Sequence, residues 1–171
     1  MLETPSRLGS GPVTIRRELR PGDVEALVRM HGTIYPREHR VGGSFEADVA
    51  RDLASAIERG WPERGAVWIV EHEGQIAGSL ALTEEGEGPA RVRWFLLAPQ
   101  VRGRGLGRRL LDELVGEADD AGHQVLCLVT FSELRVAAHL YRGHGFEVVE
   151  AHRDDRWGRP LLLQRYERRR P

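Results

Sequence analysis

The sequence predicts one α/β domain with a mixed central sheet, its elements in the order β-α-α-β-β-β-α-β-α-β-β. Its 171 residues are enough for a single domain with its own hydrophobic core. Apolar residues alternate in some segments and recur at helical spacing in others, with glycine or proline between them. The segment at residues 125–130 (V-L-C-L-V-T) is continuously apolar, as in a central strand buried on both faces. Strands and helices mixed in this way favour an α/β fold.

Each element follows from its own pattern. Strands are predicted where apolar residues alternate or form short runs, and helices where they recur every three or four residues. Asp23 and Ser44 are favourable N-caps for the first two helices, and a polar loop at residues 36–43 joins these helices. The predicted strands are 13–19, 66–71, 75–82, 91–97, 125–130, 146–149 and 161–166, and the predicted helices are 24–34, 45–57, 106–118 and 133–144.

Composition limits the classes of protein to which the chain can belong. The formal net charge is −1, so the overall charge does not favour nucleic acid as a partner. No apolar segment approaches the ~18 residues of a membrane span, and the N-terminus lacks the apolar core of a secretory signal. The single cysteine, Cys127, excludes an internal disulfide and favours the cytoplasm. We expect the domain to span residues 13–168, between a flexible N-terminus at 1–12 and a charged tail at 169–171.

The stretch from Arg91 to Val115 joins a strand, a glycine-rich turn and a helix. The turn reads R-G-R-G-L-G over residues 102–107, where the helix begins. The first N–H groups of a helix have no internal partner, and glycine lets a ligand approach the backbone closely. This combination predicts a phosphate site, and the alternative is an ordinary strand-to-helix corner. Four arginines surround the turn: Arg102, Arg104, Arg108 and Arg109.

The turn differs from two common nucleotide-binding motifs. A P-loop needs a lysine, and the chain contains none. A dinucleotide fingerprint has another glycine spacing and opens a βαβ array, whereas this turn follows several strands. The spacing R-x-x-G-x-G (Arg102, Gly105, Gly107) instead resembles the acetyl-CoA motif of the GCN5-related N-acetyltransferases (GNATs). A second segment, V-A-A-H-L-Y-R-G-H-G-F at residues 136–146, resembles the family signature A-x-x-L-Y-x-x-x-G-F.

The resemblance covers nearly the whole chain, from residue 13 to residue 168, and the predicted order of elements matches the family's fold. Three segments, H-G-T-I-Y, S-F-E-A-D-V-A and D-R-W-G-R-P-L-L-L-Q-R-Y-E, are similar to a subgroup of acetyltransferase domains that are sometimes fused to MarR-type regulators. The chain departs from the family at Leu134, where many members carry an asparagine. The polar contact of that asparagine with the cofactor's arm is therefore not implied here.

The resemblance implies that acetyl-CoA is the co-substrate. Its pyrophosphate would lie on the N–H groups of residues 102–109. Its pantetheine arm would lie along the strand at 91–97, because the fourth and fifth strands separate from each other in members of the family. A primary amine of a small molecule or a protein would attack the thioester directly. The implied cofactor-binding residues are Leu96, Leu97, Ala98, Arg102, Gly103, Arg104, Gly105, Leu106, Gly107, Arg108 and Arg109.

Candidate catalytic residues come from several parts of the sequence. Tyr141 occupies the tyrosine of the family signature and is the expected general acid for the departing thiolate; otherwise it is an aromatic core residue. The general base is open among Glu46, His31, Glu71 and His152, with Glu46 preferred. Four residues are expected to line the acceptor pocket, unless they only pack between the helices and the sheet: His31, Tyr35, Phe45 and Trp157.

Two other functions stay open at this point. A regulatory module that senses acyl-CoA would bind the cofactor without turnover, although an intact Tyr141 argues against it. Binding of nucleic acid through Arg168–Arg170 would rest on a short tail only. The sequence predicts no metal site and no membrane partner, and either a monomer or a homodimer. It does not identify the acceptor amine.

Overall fold

The computed structural model describes residues 11–84, 86 and 88–171. Within them, strands and helices follow the predicted order, which confirms the fold class. The strands are β1 (Val13–Arg16), β2 (Gly65–His72), β3 (Gln75–Thr83), β4 (Ala90–Leu97), β5 (Val125–Phe131), β6 (Glu147–Asp154) and β7 (Leu161–Arg169). The helices are α1 (Asp23–His39), α2 (Ser44–Glu58), α3 (Leu106–Asp120) and α4 (Arg135–Gly143), with a short 3-10 helix at Pro99–Val101.

The strands form one sheet in the order β1-β2-β3-β4-β5-β7-β6. Neighbouring strands are antiparallel except β4 and β5, which are parallel and are joined by a crossover through α3. The β4–β5 pairing has only two register positions, Ala90 with Leu126 and Arg91 with Cys127. Beyond these positions the two strands part. The sheet therefore has a gap near its centre, towards the C-terminal ends of β4 and β5.

Helices cover both faces of the sheet. Leu110 and Leu114 of α3 are fully buried in a core that includes Trp68 of β2. Leu27 of α1 is buried in a second core that includes the next residue of β2, Ile69. Successive residues of a strand point to opposite faces, so the two cores lie on opposite sides of the sheet. The helical spacing of apolar residues in α1, α2 and α3 supplies the stripes that these faces bury.

A β-bulge interrupts β4 next to the gap. The register of the β3–β4 pair shifts between Ser79 and Ala81, and Trp94 on the opposite strand has a φ of 46°. A bulge adds one residue to one strand and changes where its side chains point. The carbonyl of Trp94 accepts a hydrogen bond from the Ser79 hydroxyl at 2.5 Å, so a side chain satisfies this buried backbone group. The bulge and the loss of β5 as a neighbour thus occur close together along β4.

The first interhelical loop is shorter than predicted. The predicted loop at residues 36–43 is helical as far as His39, because α1 continues through Pro36. A proline in the last turn of a helix removes only one N–H donor, and the helix does not have to continue beyond it. The carbonyl of Pro36 accepts a hydrogen bond from the N–H of Arg40 at 3.0 Å, and this bond closes the helix.

The prediction that Asp23 and Ser44 are N-caps is wrong. They are the first residues of their helices, and a glycine occupies the N-cap position before each of them. The side chains of both residues bond to other parts of the chain. The Asp23 carboxylate accepts hydrogen bonds from the Arg16 guanidinium and from the N–H of Arg20. The Ser44 hydroxyl donates to the carbonyl of Arg156 at 2.9 Å. These bonds fix where α1 and α2 begin relative to the sheet.

The last two strands extend beyond their predicted ends. β6 continues to Asp154 and β7 to Arg169, so the predicted tail at 169–171 begins inside the sheet. The Arg168 guanidinium donates to both oxygens of Asp119 at 2.8 Å and ties β7 to α3, which leaves little of a basic tail for nucleic acid. Residues 1–10 of the predicted flexible N-terminus lie outside the described residues. In the described part of the chain, no helix combines the length and the apolar character needed to cross a membrane.

Gly78 of β3 permits a close contact with the end of β4. A Cβ at this position would lie 2.6 Å from Cδ2 of Leu97 and 3.0 Å from the carbonyl oxygen of Leu96. We expect Gly78→Ala to lower the free energy of unfolding by about 1–3 kcal/mol, the usual cost of overpacking. Urea denaturation measures this change.

The control is Gly116, which is exposed within α3, and a Cβ added there would meet nothing within 4 Å. Gly116→Ala should raise the free energy of unfolding by roughly 0.5–1 kcal/mol, because alanine loses less backbone entropy in a helix. A Gly78→Ala protein as stable as the Gly116→Ala protein would contradict the close β3–β4 contact.

Candidate active site

A cavity of about 400 Å³ opens where β4 and β5 part. Its walls come from β4, β5, α1, α2, α4 and the β6–β7 hairpin. The two strands do not pair across the gap, so groups of both strands are available to a ligand there. The structure brings together five residues that the sequence analysis had placed in the site, and all of them line this cavity: His31, Tyr35, Phe45, Tyr141 and Trp157.

The turn before α3 presents a row of free backbone N–H groups. Gly103 and Gly105 have left-handed φ values of 73° and 74°, which glycine adopts without strain. Within the described part of the chain, the N–H groups of residues 103 and 105–108 have no backbone acceptor, and the first helical bond runs from Arg109 to Gly105. Free N–H groups at a helix N-terminus attract anions, so this geometry supports the predicted phosphate site.

Arg102 acts as a brace between this turn and α1. Its two terminal nitrogens donate to the Glu38 carboxylate at 2.9 and 3.0 Å, and its Nε donates to the carbonyl of Leu97 at 2.8 Å. The charge of Arg102 is therefore already compensated by a carboxylate. The predicted contact of its side chain with a phosphate would require this brace to open.

The other three arginines differ in how available they are to a ligand. Arg109 is paired with a glutamate one turn further along α3, at 2.9 Å. Arg104 donates to two backbone carbonyls. Arg108 is exposed, and none of the described residues forms an ion pair with it. The backbone N–H groups, rather than a ring of four arginines, are thus the groups of this turn that are most available to an anion.

The backbone of Leu97 points into the gap. The N–H of Ala98 donates to the carbonyl of Ala77 at 2.8 Å, so Ala98 faces β3. In an antiparallel pair the preceding residue, Leu97, then turns its N–H and C=O to the other side. That side is the gap left by β5. The C=O of Leu97 already accepts the hydrogen bond from Arg102 Nε. The N–H of Leu97 is therefore the group with which an amide of an extended ligand could pair in the way that a strand would.

The helix α4 holds Tyr141 at the wall of the cavity. The side chain is 5% exposed, and its ring lies among those of Phe95, Phe146 and Tyr166, with centroids 6.3, 6.0 and 5.8 Å away. Burial raises the pKa of Tyr141 well above the usual range of a phenol, so its hydroxyl keeps its proton at physiological pH. Leu134, in the position of the family's asparagine, precedes α4 and also lines the cavity.

The end of the cavity near α1 and α2 is aromatic. Tyr35 stacks on Phe45 with a centroid distance of 4.4 Å, and Trp157 meets Phe45 edge-on at 5.1 Å. Phe131, the last residue of β5, lies 5.8 Å from Tyr35 and 6.4 Å from Trp157. The indole N–H of Trp157 donates to Asp48 at 2.7 Å and holds the ring in place. Sequence patterns do not identify Phe131 as a site residue, because its only signal is its place at the C-terminal end of a central strand.

His31 lines the cavity from α1 and is 3% exposed. Its Nδ1 lies 2.9 Å from the carbonyl oxygen of Leu27, and because a carbonyl only accepts, Nδ1 carries the ring proton. Nε2 is then an acceptor, and it has no hydrogen-bond partner among the described residues. Burial lowers the pKa of His31 to about 4, so the ring is neutral at physiological pH.

The candidate bases do not all reach the cavity. The preferred one, Glu46, is exposed in the first turn of α2, and its carboxylate lies against Gly32 of α1, outside the cavity wall. Glu71 on β2 accepts a hydrogen bond from Arg16 at 2.8 Å and is also outside the wall. His152 lines the cavity with half of its side chain exposed. Of the four candidates, the structure brings His31 and His152 to the cavity and leaves Glu46 and Glu71 away from it.

The rim of the cavity carries charges that the sequence analysis did not single out. Asp52 of α2 and Arg93 of β4 form an ion pair at 3.1 Å. Arg156 pairs with Asp154, and its guanidinium lies 5.7 Å above the ring of Trp157. Asp52, Arg93 and the Asp154–Arg156 pair come from three segments that are distant in sequence, and no local motif links the three segments. The rim is therefore polar and the interior aromatic.

Comparison with known sequences places this architecture among acetyltransferases. The profile of a family described as "acetyltransferase (GNAT) domain" matches residues 63–148. The IAA acetyltransferase of Azospirillum brasilense is 31% identical over 143 residues, which cover 78% of this chain and 84% of that protein. N-acetyltransferase family 8 member 2 of Rattus norvegicus is 31% identical over 101 residues, or 56% of this chain. The chain spans 45% of the rat protein's length.

Solved structures show the same fold. One is yncA, described as a putative acetyltransferase from Salmonella typhimurium with its cofactor acetyl-CoA. It superimposes with a TM-score of 0.69 at 22% identity, over 92% of this chain and 93% of the other. At that identity the likeness concerns the fold.

Proposed function

The chain belongs to the GNAT family of acetyltransferases, and we propose that it transfers the acetyl group of acetyl-CoA to a primary amine of a small molecule or a protein. The observation that carries this proposal is the gap between β4 and β5. It lies between an anion-binding helix N-terminus and an aromatic cavity, and a protonated hydroxyl, that of Tyr141, stands at its wall. Acetyl-CoA has an anionic end, an extended arm with amides and a reactive thioester, which correspond to these three parts.

The proposed cofactor site follows the backbone. The pyrophosphate binds the N–H groups of residues 103 and 105–108, with Arg108 and Arg109 near it and Arg102 and Arg104 bracing the turn. The arm runs along the end of β4, past residues 96–98, and pairs with the N–H that Leu97 turns into the gap. The thioester then reaches the interior of the cavity beside Tyr141.

Tyr141 is the proposed general acid. The amine attacks the thioester carbonyl, the C–S bond breaks, and the phenol gives its proton to the departing thiolate. A phenol with a raised pKa is a weak acid, but the same dry surroundings also raise the proton affinity of the thiolate. The transfer therefore remains possible inside the cavity. Cys127 has no part in this scheme, since it is buried and burial raises the pKa of its thiol.

The acceptor amine is proposed to enter from the side of α1, α2 and the β6–β7 hairpin. Tyr35, Phe45 and Trp157 form the walls of this entrance, and the cofactor occupies the opposite side of the gap. We leave Glu46 out of the proposed site because it lies outside the cavity wall. The candidates for contact with the amine are then His31 and His152.

The alternative function is an acyl-CoA-sensing module that binds the cofactor without turnover. It is supported by the similarity of three sequence segments to acetyltransferase domains fused to MarR-type regulators, which we propose as the subgroup of this chain. Release of CoA in the presence of a panel of amines distinguishes the two functions, because a sensor would bind acetyl-CoA and release no CoA.

We also propose that the protein is cytoplasmic, because it has a single cysteine and so cannot form an internal disulfide, and that it is a monomer or a homodimer.

A change at Gly107 tests the cofactor site. A side chain there would enter the space between Leu140, Leu97 and Phe95, with Cβ 3.4 Å from Leu140. Gly107→Glu adds negative charge beside the proposed phosphates, so we expect its dissociation constant for acetyl-CoA to rise by more than about tenfold relative to that of Gly107→Gln, a loss of ~1.4 kcal/mol or more. Calorimetric titration measures both, with melting curves to show that both variants fold. Equal affinities in the two variants would place the phosphates elsewhere.

A change at Tyr141 tests the general acid. Tyr141→Phe keeps the ring packing and removes only the hydroxyl, so the affinity for acetyl-CoA and the melting temperature should change little. The expected loss in kcat is about 10²-fold, at the low end for a general acid, because a thiolate is a fair leaving group. Steady-state release of CoA measures it. A kcat within twofold of the wild-type value would show that water, not Tyr141, supplies the proton.

A further inference from the structure

His31 has a buried acceptor atom that the protein itself does not satisfy. Nδ1 is held by the carbonyl of Leu27, one turn earlier on the same helix. This anchor leaves Nε2 as the second ring nitrogen of a side chain that lines the cavity. Nε2 is buried and has no hydrogen-bond partner in the described part of the chain. Buried polar atoms are normally paired, so an acceptor without a partner in a cavity wall indicates a missing donor.

The surroundings of His31 limit the chemistry of that donor. The His31 ring is parallel to that of Tyr35, at 5.9 Å, and Tyr35 in turn stacks on Phe45. Asp52 is the one carboxylate among the described residues of the cavity wall; its side chain is 57% exposed, and it is paired with Arg93. The interior therefore offers no anion to stabilise a bound ammonium ion. It suits a ligand with an apolar body and one N–H or O–H group.

We propose that Nε2 of His31 accepts a hydrogen bond from the attacking nitrogen, and that the acceptor is a primary amine bound in its neutral form, with an apolar body among Tyr35, Phe45 and Trp157. This inference rests on the proposed acetyl transfer and specifies its acceptor side. The hydrogen bond holds the amine with its lone pair free to form the C–N bond to the thioester carbon. The aromatic rings exclude water and favour a hydrophobic body over a polar one.

The protons balance in this arrangement. When the C–N bond has formed, the nitrogen carries a positive charge and one proton too many. Nε2 takes that proton as the C–S bond breaks and Tyr141 gives its own proton to the sulfur. His31 then releases its proton to water, and Tyr141 regains one. The net products are the amide and the free thiol of CoA.

The low basicity of His31 gives this site a characteristic dependence on pH. Burial is the main cause of its lowered pKa, and the hydrogen bond with Leu27 opposes it. Because His31 stays neutral well below pH 7, the step that limits binding is the loss of the amine's own proton in solution. The other titratable or charged side chains of the cavity wall are Tyr35, Asp52, Arg91, Arg93, Tyr141, His152 and Arg156, and Glu46 lies outside it on the neighbouring α2.

The first test compares His31→Phe with His123→Phe. Phenylalanine keeps the ring next to Tyr35 but has no acceptor, whereas His123 lies at the other end of β5, near Glu84. With 2-phenylethylamine as the acceptor, His31→Phe should lower kcat/KM for the amine more than about tenfold and leave the KM for acetyl-CoA within twofold. His123→Phe should leave both unchanged. If His31→Phe impairs kcat/KM for the amine and the KM for acetyl-CoA to the same extent, or changes neither, His31 is a packing residue and the proposal is overturned.

The second test uses the wild-type protein and therefore does not depend on whether a variant folds. The kcat/KM for 2-phenylethylamine should rise about tenfold per pH unit between about pH 6 and 8.5, in step with the neutral amine, without an inflection near the ordinary pKa of histidine. The kcat/KM for a fluorinated 2-phenylethylamine of lower basicity should reach its plateau at lower pH. An inflection at the same pH for both amines would show that a group of the protein titrates, and would overturn the proposal.

A comparison of acceptors separates this inference from the proposed function. 2-Phenylethylamine should exceed ethanolamine in kcat/KM by more than about tenfold, which corresponds to the burial of its apolar ring. Better turnover of ethanolamine or of a peptide amine would overturn the acceptor assignment and leave acetyl transfer intact. Failure of every amine, together with tight binding of acetyl-CoA, would overturn both and favour the sensing module.

Discussion

The parting of β4 and β5 is the constraint on which the site depends. β4 is paired with β3, and β5 is paired with β7 from Val125 to Phe131, yet β4 and β5 meet only at Ala90 and Arg91. Backbone groups that are buried without partners cost free energy, so open strand edges inside a sheet need solvent or a ligand. An extended ligand with amide groups can satisfy such an edge as a strand would. One interrupted pairing thus creates both a slot for a ligand and the cavity beside it.

The main chain sets the position of the proposed anion site relative to this slot. The end of β4 is fixed, because Ala98 is hydrogen-bonded to β3 and Val101 is fully buried with it in a small core. The chain then has only a few residues in which to turn into α3, and two glycines with positive φ make that turn. Arg102 adds a cross-brace to Glu38 that links the turn to α1. A change in α1 can therefore reach the turn before α3 through this ion pair.

The sequence was sufficient for the order of the elements and for the glycine-rich turn, because both depend on patterns within a few residues. It was insufficient for contacts that form only when distant segments meet, such as the pair of Arg102 and Glu38, 64 residues apart. The preference for Glu46 shows another limit. Phe45 faces the cavity, and the next residue on a helix points about 100° away, so Glu46 lies on another side. A hydrophobic pattern locates the buried stripe of a helix, but the place of the cavity along that stripe depends on the sheet.

Burial in the cavity favours the neutral form of the titratable side chains in its interior. Burial raises the pKa of Tyr35 to about 12, raises that of Tyr141, and lowers that of His31 to about 4, so all three side chains are neutral near pH 7. In the proposed reaction a neutral amine and a thioester enter, and an amide and a thiol leave, so reactants and products both match this condition. Charge arises only while the C–N bond forms and the C–S bond breaks. In dry surroundings a cationic nitrogen and an anionic sulfur are costly unless protons move at once, and His31 as the proposed acceptor and Tyr141 as the proposed donor are the groups positioned to move them.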